Sequence, residues 1–329
     1  MVGKVLGFAA QVAPWAVVSG LAYAAAFVKP SVEPLPLPQP LTESRDTFYD
    51  VSATGSDHFW FAGNNGVVLE GGTDPSSWAR HSMPHNINLQ GIATSDDGLV
   101  LAVGNEGWTF RREGEGQWES TQLPVSDIAG KLIEVAWLGD GFFAIGEMGA
   151  VFRSNAEAQD WTNLSIDGDV GLNDITRDGA GVLWITAEFG TVYQSDDNGK
   201  SWSGEELGYE SLRSVEFVDG TGVIVGNGGV IFRSTDGGNS WTSVPSPTSE
   251  HLYDVIHDGS RWLAGGNGGV LLESANGDEW NLLTPESGTT GYVARLLPAS
   301  DGVVVAGKEI GQLDGEHWNT WPATRGEEK

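Results

Sequence analysis

Seven times along the chain a short glycine turn is followed by a tryptophan, and this period restricts the fold more than any other feature. Aligned on the last glycine of each turn, the repeats fall at Gly66, Gly107, Gly149, Gly190, Gly229, Gly269 and Gly311, 39 to 42 residues apart. Trp78, Trp118, Trp161, Trp202, Trp241, Trp280 and Trp318 follow those glycines by 7 to 13 residues. In the fifth repeat LRSVEFV alternates as a strand, Asp219-Gly220 turns the chain, GVIVG forms a second strand, Asn227-Gly228 turns again, and VIFRS forms a third. Trp241 then begins a fourth. A sheet unit of this length, repeated without helical periodicity, hides its edges by radial closure. The expected fold is all-β, a seven-bladed β-propeller over residues 46–323 with four antiparallel strands per blade.

The stretch QSDDNGKSW, Gln194 to Trp202, contains Gly-Lys-Ser and two adjacent aspartates. A phosphate loop requires an earlier glycine where Gln194 stands, and no further carboxylates follow at calcium-loop spacing. RSTDGGNSW repeats the frame without the lysine. The shared Ser-x-Asp-x-Gly-x-x-Trp, carried by Ser195, Asp197, Gly199 and Trp202 and by Ser234, Asp236, Gly238 and Trp241, reads as a structural turn between strands three and four. Its aspartate accepts backbone amides, its glycine takes positive φ and its tryptophan packs beneath. The motif decays in Ser274-Ala-Asn276-Gly-Asp-Glu-Trp280 and survives mainly as Trp161 after Ser154.

Ahead of the repeats, Val5 to Val28 is 24 residues without a charge, flanked by Lys4 and Lys29. That length spans a bilayer and exceeds the usual signal-peptide core, so residues 1–29 read as one N-terminal transmembrane helix or uncleaved signal. Ala22-Tyr23-Ala24 supplies a small-residue exit for cleavage as the alternative. Pro30 to Pro40 (PSVEPLPLPQP) has five prolines in eleven residues, and residues 30–45 read as a stiff spacer. Residues 324–329 form a charged C-terminal tail. The chain has no cysteine, which excludes disulfides and thiolate chemistry. With 17 basic against 45 acidic residues and a net charge of −28, nucleic acid and anionic headgroups are poor partners.

VGNGGVIFRSTDGGNSW, Val225 to Trp241, is similar to the photosystem II assembly-factor family of BNR or Asp-box propellers, the YCF48-like proteins, and to their non-photosynthetic bacterial relatives. The pattern covers about residues 47 to 321. The resemblance implies a noncatalytic scaffold that helps a membrane complex assemble on the extracytoplasmic side of the cytoplasmic membrane, with the propeller in the periplasm and no cofactor. It also implies a basic patch in photosynthetic members, from which a charge of −28 departs; the non-photosynthetic relatives resemble accessory proteins of RND-type envelope transporters, which that resemblance makes the first expected partner.

The Asp-box is shared with sialidases, and a glycan-binding or glycan-cleaving propeller is the alternative class. A sialidase needs clustered arginines, a tyrosine with an acidic partner and a separate acid. Of eleven arginines, Arg153 and Arg233 belong to the repeated third strand, and only Arg213 and Arg295 are expected near the channel mouth, a thin case for a cluster. The six histidines have no metal-site spacing, and no nucleophile motif occurs, so no catalytic or metal residue is assigned. Two binding surfaces are expected. Asn64, Asn105, Glu147, Glu188, Asn227, Asn267 and Lys308 occupy equivalent turns between strands two and three, where Glu147-Met148 and Glu188-Phe189 replace Asn-Gly and set a large apolar side chain beside a carboxylate. FYD, LQG, LIE, LND, LRS, LYD and VAR open the first strands, and they place Asp50, Glu134, Asp174 and Asp254 in an acidic ring with Gly91, Ser214 and Arg295 at the equivalent points.

Overall fold

The computed structural model describes residues 12–23, 40–74, 76–286 and 291–321, and the chain divides into two compact units, Met1–Pro40 and Leu41–Lys329. In the first unit residues 12–23 are helical, with Trp15, Val17, Leu21 and Tyr23 exposed. The expected transmembrane helix is longer than this: no described helix is long and apolar enough to cross a membrane. The remainder of Val5 to Val28, the spacer up to Gln39 and the tail 324–329 lie outside the described residues.

The second unit is an all-β propeller of seven blades. Each blade is a four-stranded antiparallel sheet of four consecutive strands. The first strands are Phe48–Ala53, Leu89–Thr94, Leu132–Trp137, Leu172–Arg177, Leu212–Val218, Leu252–His257 and Val293–Ala299. Because each sheet uses consecutive strands, none is shared between the first and last blades. The chain before the first strand contributes a side chain instead: Leu41 packs into the layer between blades 1 and 7, and its carbonyl accepts Arg80 Nη1 at 2.9 Å.

The core consists of seven apolar layers, one between each pair of neighbouring blades. A blade is therefore covered on both faces, and its second strand becomes a continuous apolar run rather than an alternating one. LVLAVG (Leu99–Gly104) and FFAIG (Phe142–Gly146) are buried throughout. The layer between blades 1 and 7 joins Phe48, Phe59, Phe61 and Trp78 to Val304, Ala306 and Ile310, and so closes the ring by packing.

One backbone feature recurs in every blade. The register between the first and second strands slips by a residue at the start of the first strand, as where Phe48 pairs with Gly63 but Asp50 with Ala62. The residue skipped is Tyr49, Gln90, Ile133, Asn173, Arg213, Tyr253 or Ala294 in turn. A bulge of this kind re-aims a side chain that strict alternation would send to the other face. The seventh blade differs at its next turn, where Gly311 lies inside the third strand Ile310–Asp314 rather than in the turn.

Candidate functional site at the propeller axis

The first strands surround the axis, and the bulges decide what they present there. At the ring positions, Asp50, Glu134, Asp174, Ser214, Asp254 and Arg295 meet around the Arg295 guanidinium. Its Nε lies 2.9 Å from Asp50 Oδ1, and Nη1 lies 3.2 Å from Asp254 Oδ1 and 3.6 Å from Asp174 Oδ1. Nη2 pairs with Glu134. The expected acidic ring is thus filled by an arginine from the same ring position of blade 7.

The carboxylates also clasp neighbouring blades. Asp50 Oδ2 accepts Ile92 N at 2.6 Å, Asp174 Oδ2 accepts Val215 N at 3.0 Å and Asp254 Oδ2 accepts Leu296 N at 2.6 Å. Ser214 Oγ does the same for Val255 N at 3.3 Å and donates to Asp254 Oδ1 at 3.0 Å. Gly91 has no side chain to offer and no room for one: a Cβ there would stand 2.8 Å from Val135 N. Burial raises the carboxyls of Asp50 and Asp254 and pushes Asp174 up to about 6, with hydrogen bonds pulling the other way.

On the lower side of this plug is a chamber of about 290 Å³ bordered by Thr94, Trp137, Thr176 and Glu216. Burial and the nearby Asp174 push Glu216 up to about 7. On the upper side a mouth of about 330 Å³ is lined by the bulge residues, with Arg295 and Glu134 as its floor. Tyr253 and Tyr292 meet edge to face with ring centroids 6.2 Å apart, and Tyr49 lines the same mouth. Burial, then the neighbouring Tyr49, raises the Tyr292 hydroxyl to about 12. Arg213 is held by neutral amides, Nε to Asn227 Oδ1 at 2.9 Å and Nη1 to Asn173 Oδ1 at 3.2 Å. Among the described residues no carboxylate pairs with it, so above the Arg295–Glu134 floor the mouth combines aromatic faces, amides and the Arg213 cation. The bulge residues stand one position before the ring residues in each repeat, and the bulge turns them toward the mouth, whereas Tyr292 comes from the connection ahead of the blade 7 strand.

The upper turns hold their own connections together. Asn64 Oδ1 accepts Thr47 N at 3.1 Å, and Glu147 and Glu188 take the same role toward Lys131 N at 2.9 Å and Gly171 N at 3.2 Å. Asn105 N donates to Asn88 O at 3.2 Å, Asn267 Nδ2 donates to Glu250 Oε2 at 2.7 Å, and Lys308 Nζ donates to Ser44 O at 3.1 Å. Met148 is half-buried and Phe189 is 66% exposed.

The lower turns are closed internally. Asp197 Oδ1 accepts Ser195 Oγ at 2.8 Å and Ser201 N at 2.9 Å, Oδ2 accepts Ser201 Oγ at 2.7 Å, and Gly199 N donates to Ser195 Oγ at 2.9 Å. Asp236 repeats this set with Ser234 and Ser240, and Gly238 N donates to Ser234 Oγ. Gly199 and Gly238 have φ of 85° and 83°. Trp202 and Trp241 pack against the apolar layers. Among the described residues no group of three His, Asp or Glu has the geometry to hold a metal ion.

Fold and site define the class: a seven-bladed Asp-box propeller with a plugged axis and a lined upper mouth. Residues 155–253 match the family model described as photosynthesis system II assembly factor YCF48, which includes the segment Val225 to Trp241. The chain is 28% identical over 167 residues to the photosystem II assembly lipoprotein Ycf48 of Synechococcus sp. (strain CC9605), covering 49% of each chain. It thus spans about half the length of the curated relatives it matches. Among solved structures it resembles YCF48 bound to D1 peptide, with TM-score 0.66 and 19% identity over 82% of this chain and 91% of that one. It also resembles a catalytically inactive virginiamycin B lyase from Staphylococcus aureus, with TM-score 0.70 and 14% identity over 82% and 94%. At these identities the structural likenesses speak to the fold.

Proposed function

We propose that the protein is a noncatalytic accessory or assembly factor that binds a peptide segment of a membrane protein in the upper axial mouth. The observation that carries this reading is the composition of the mouth. Tyrosines offer broad, stiff contact surfaces, Gln90 offers a donor and an acceptor to a peptide backbone, and Arg213, held by Asn173 and Asn227, keeps an oriented positive charge for a carboxylate or carbonyl. The floor supports a binding rather than a catalytic role, because its carboxylates are committed to Arg295 and to backbone amides of the next blade. The matched relatives are named as assembly lipoproteins, and one solved relative is described as bound to a D1 peptide.

The propeller in this reading is held at the extracytoplasmic side of the membrane by the uncharged stretch Val5 to Val28. The exposed apolar side chains of Trp15, Val17 and Leu21 support it, since such a helix gains most by entering lipid. None of the relatives named above is described as associated with an RND-type transporter, so the partner is defined by the mouth chemistry and not by transporter class. The test is purification of the full-length protein from its native membrane in mild detergent, with co-purifying proteins identified and the mature N-terminus read. A stoichiometric membrane protein retained by the wild type and lost in Tyr253→Ala/Arg213→Ala is the expected result. A soluble chain that begins after Ala24 and has no partner under cross-linking overturns it and favours a glycan ligand.

A further inference from the structure

A second surface lies on the upper face away from the axis. Five connections of blades 2 to 5 form one arc, each tied to the next by backbone hydrogen bonds. Glu147 N donates to Lys131 O at 2.9 Å, which joins residues 124–131 to the turn 147–149, and Gly149 N donates to Val170 O at 2.7 Å, which joins that turn to 164–171. Glu188 N donates to Gly171 O at 2.9 Å, and Leu207 N donates to Gly190 O at 2.8 Å, which carries the arc through 188–190 to 207–211. On it stand Ile128, Phe189 and Tyr209, which are 90%, 66% and 98% exposed, with Met148 half-buried among them. The one other exposed large hydrophobic of the described propeller, Leu282, is on the outer strand of blade 6. Scattered exposed apolar residues need no explanation, but three of the four in the described propeller stand on one hydrogen-bonded arc.

The backbone shows that two of these side chains are kept against a cost. Met148 and Phe189 have φ of 57° and 58° in a turn whose equivalent residues are Asn65, Glu106, Gly228 and Gly268 with φ of 55°, 59°, 66° and 65°, so they alone set a large apolar side chain there. Bulky side chains in the left-handed region are uncommon and cluster at binding sites. The surroundings give the chemistry of the occupant: Asp127, Asp167, Asp169 and Glu210 are exposed on the same connections, in a chain of net charge −28.

We propose that this ledge docks a segment of another protein whose apolar side chains are interleaved with lysine or arginine. Ile128, Phe189 and Tyr209 take the apolar side chains, and the acidic rim takes the cations. The ledge uses no residue of the axial mouth, so it is a second contact and not a restatement of the first.

The test uses the full-length protein in mild detergent at physiological salt. Its binding to a fluorescent peptide of alternating Leu and Lys is compared with that to Leu/Glu and Ser/Lys peptides. The combined variant Met148→Gly/Phe189→Gly/Tyr209→Ser restores glycine to positive-φ sites, so it keeps the fold, which its melting temperature verifies. The expected result is binding of the Leu/Lys peptide alone, weakened at least about tenfold in that variant and unchanged in Tyr253→Ala/Arg213→Ala. Equal binding by wild type and ledge variant, equal binding of Ser/Lys and Leu/Lys, or no binding overturns the proposal. So does self-association of the wild type that the ledge variant abolishes.

Discussion

Arg295 Nε lies 2.9 Å from Asp50 Oδ1, an ion pair between the first strands of the last and first blades across 245 residues of sequence. With no strand shared between those blades, the ring closes through this pair, the apolar layer around Phe48 and Ile310, and hydrogen bonds from Lys308 to Ser44 O and from Ser300 to Asp57. The same guanidinium serves carboxylates of blades 3, 4 and 6, so one side chain offsets four buried acids.

Removing it should therefore cost far more than removing an exposed ion pair. Arg295→Met is expected to destabilise the propeller by about 3–5 kcal/mol, since it leaves buried carboxylates without a counter-charge. Urea denaturation measures the loss, and hydrogen exchange should rise first in Phe48–Ala53 and Val293–Ala299. Arg295→Lys should recover little, because a single ammonium cannot fork between Asp50 and the acids opposite.

A consensus substitution should fail at one ring position. Gly91 occupies the place held by aspartate in blades 1, 4 and 6, yet a Cβ there meets Val135 N at 2.8 Å and the Glu134 carbonyl carbon at 3.1 Å. Gly91→Asp should lower the melting temperature rather than add a clasp. A stabilised variant would show that blades 2 and 3 can part without cost.

The pH dependence should have an uncommon sign. Glu216 and Asp174 are raised to about 7 and about 6, burial being the larger cause in each. Both bind a proton in the folded state at pH values where the unfolded chain has released it, so stability falls as pH rises from about 4.5 through 7. Glu216→Gln should flatten that slope in thermal melts. Glu70 acts oppositely: burial works against it, but hydrogen bonds from His81 and Arg112 hold it at about 2, and its contribution is lost only as pH falls below the ordinary range toward that value.

The lower turns should ignore calcium. Asp197 is pulled down to about 2 by the Ser201 hydroxyl and amide and by Ser195, so its oxygens already have donors. Asp197→Ala should lower the melting temperature through loss of the turn's hydrogen bonds, and millimolar calcium or chelator should leave the wild-type melting temperature unchanged.

Phe189→Gly should stabilise the isolated protein. Its φ of 58° is one that glycine adopts without the steric cost of a Cβ, a gain of about 1 kcal/mol. A melting temperature that falls instead would mean that the phenyl ring packs against the propeller.

The sequence by itself determined the number of blades, their four strands and the chemistry of the turns. Each of these is written within about forty contiguous residues, in a glycine that permits positive φ, in Ser-x-Asp-x-Gly hydrogen bonds and in apolar runs such as FFAIG. Equivalence between repeats also identified Asp50, Glu134, Asp174, Asp254 and Arg295 as ring positions. Only the tertiary structure decided that Arg295 would fill the ring, because the pairing depends on seven first strands meeting at one axis. It alone set Tyr49, Asn173 and Tyr253 at the mouth beside the expected Arg213, since a one-residue bulge reverses the direction that alternation assigns and leaves no mark of its own in the local pattern.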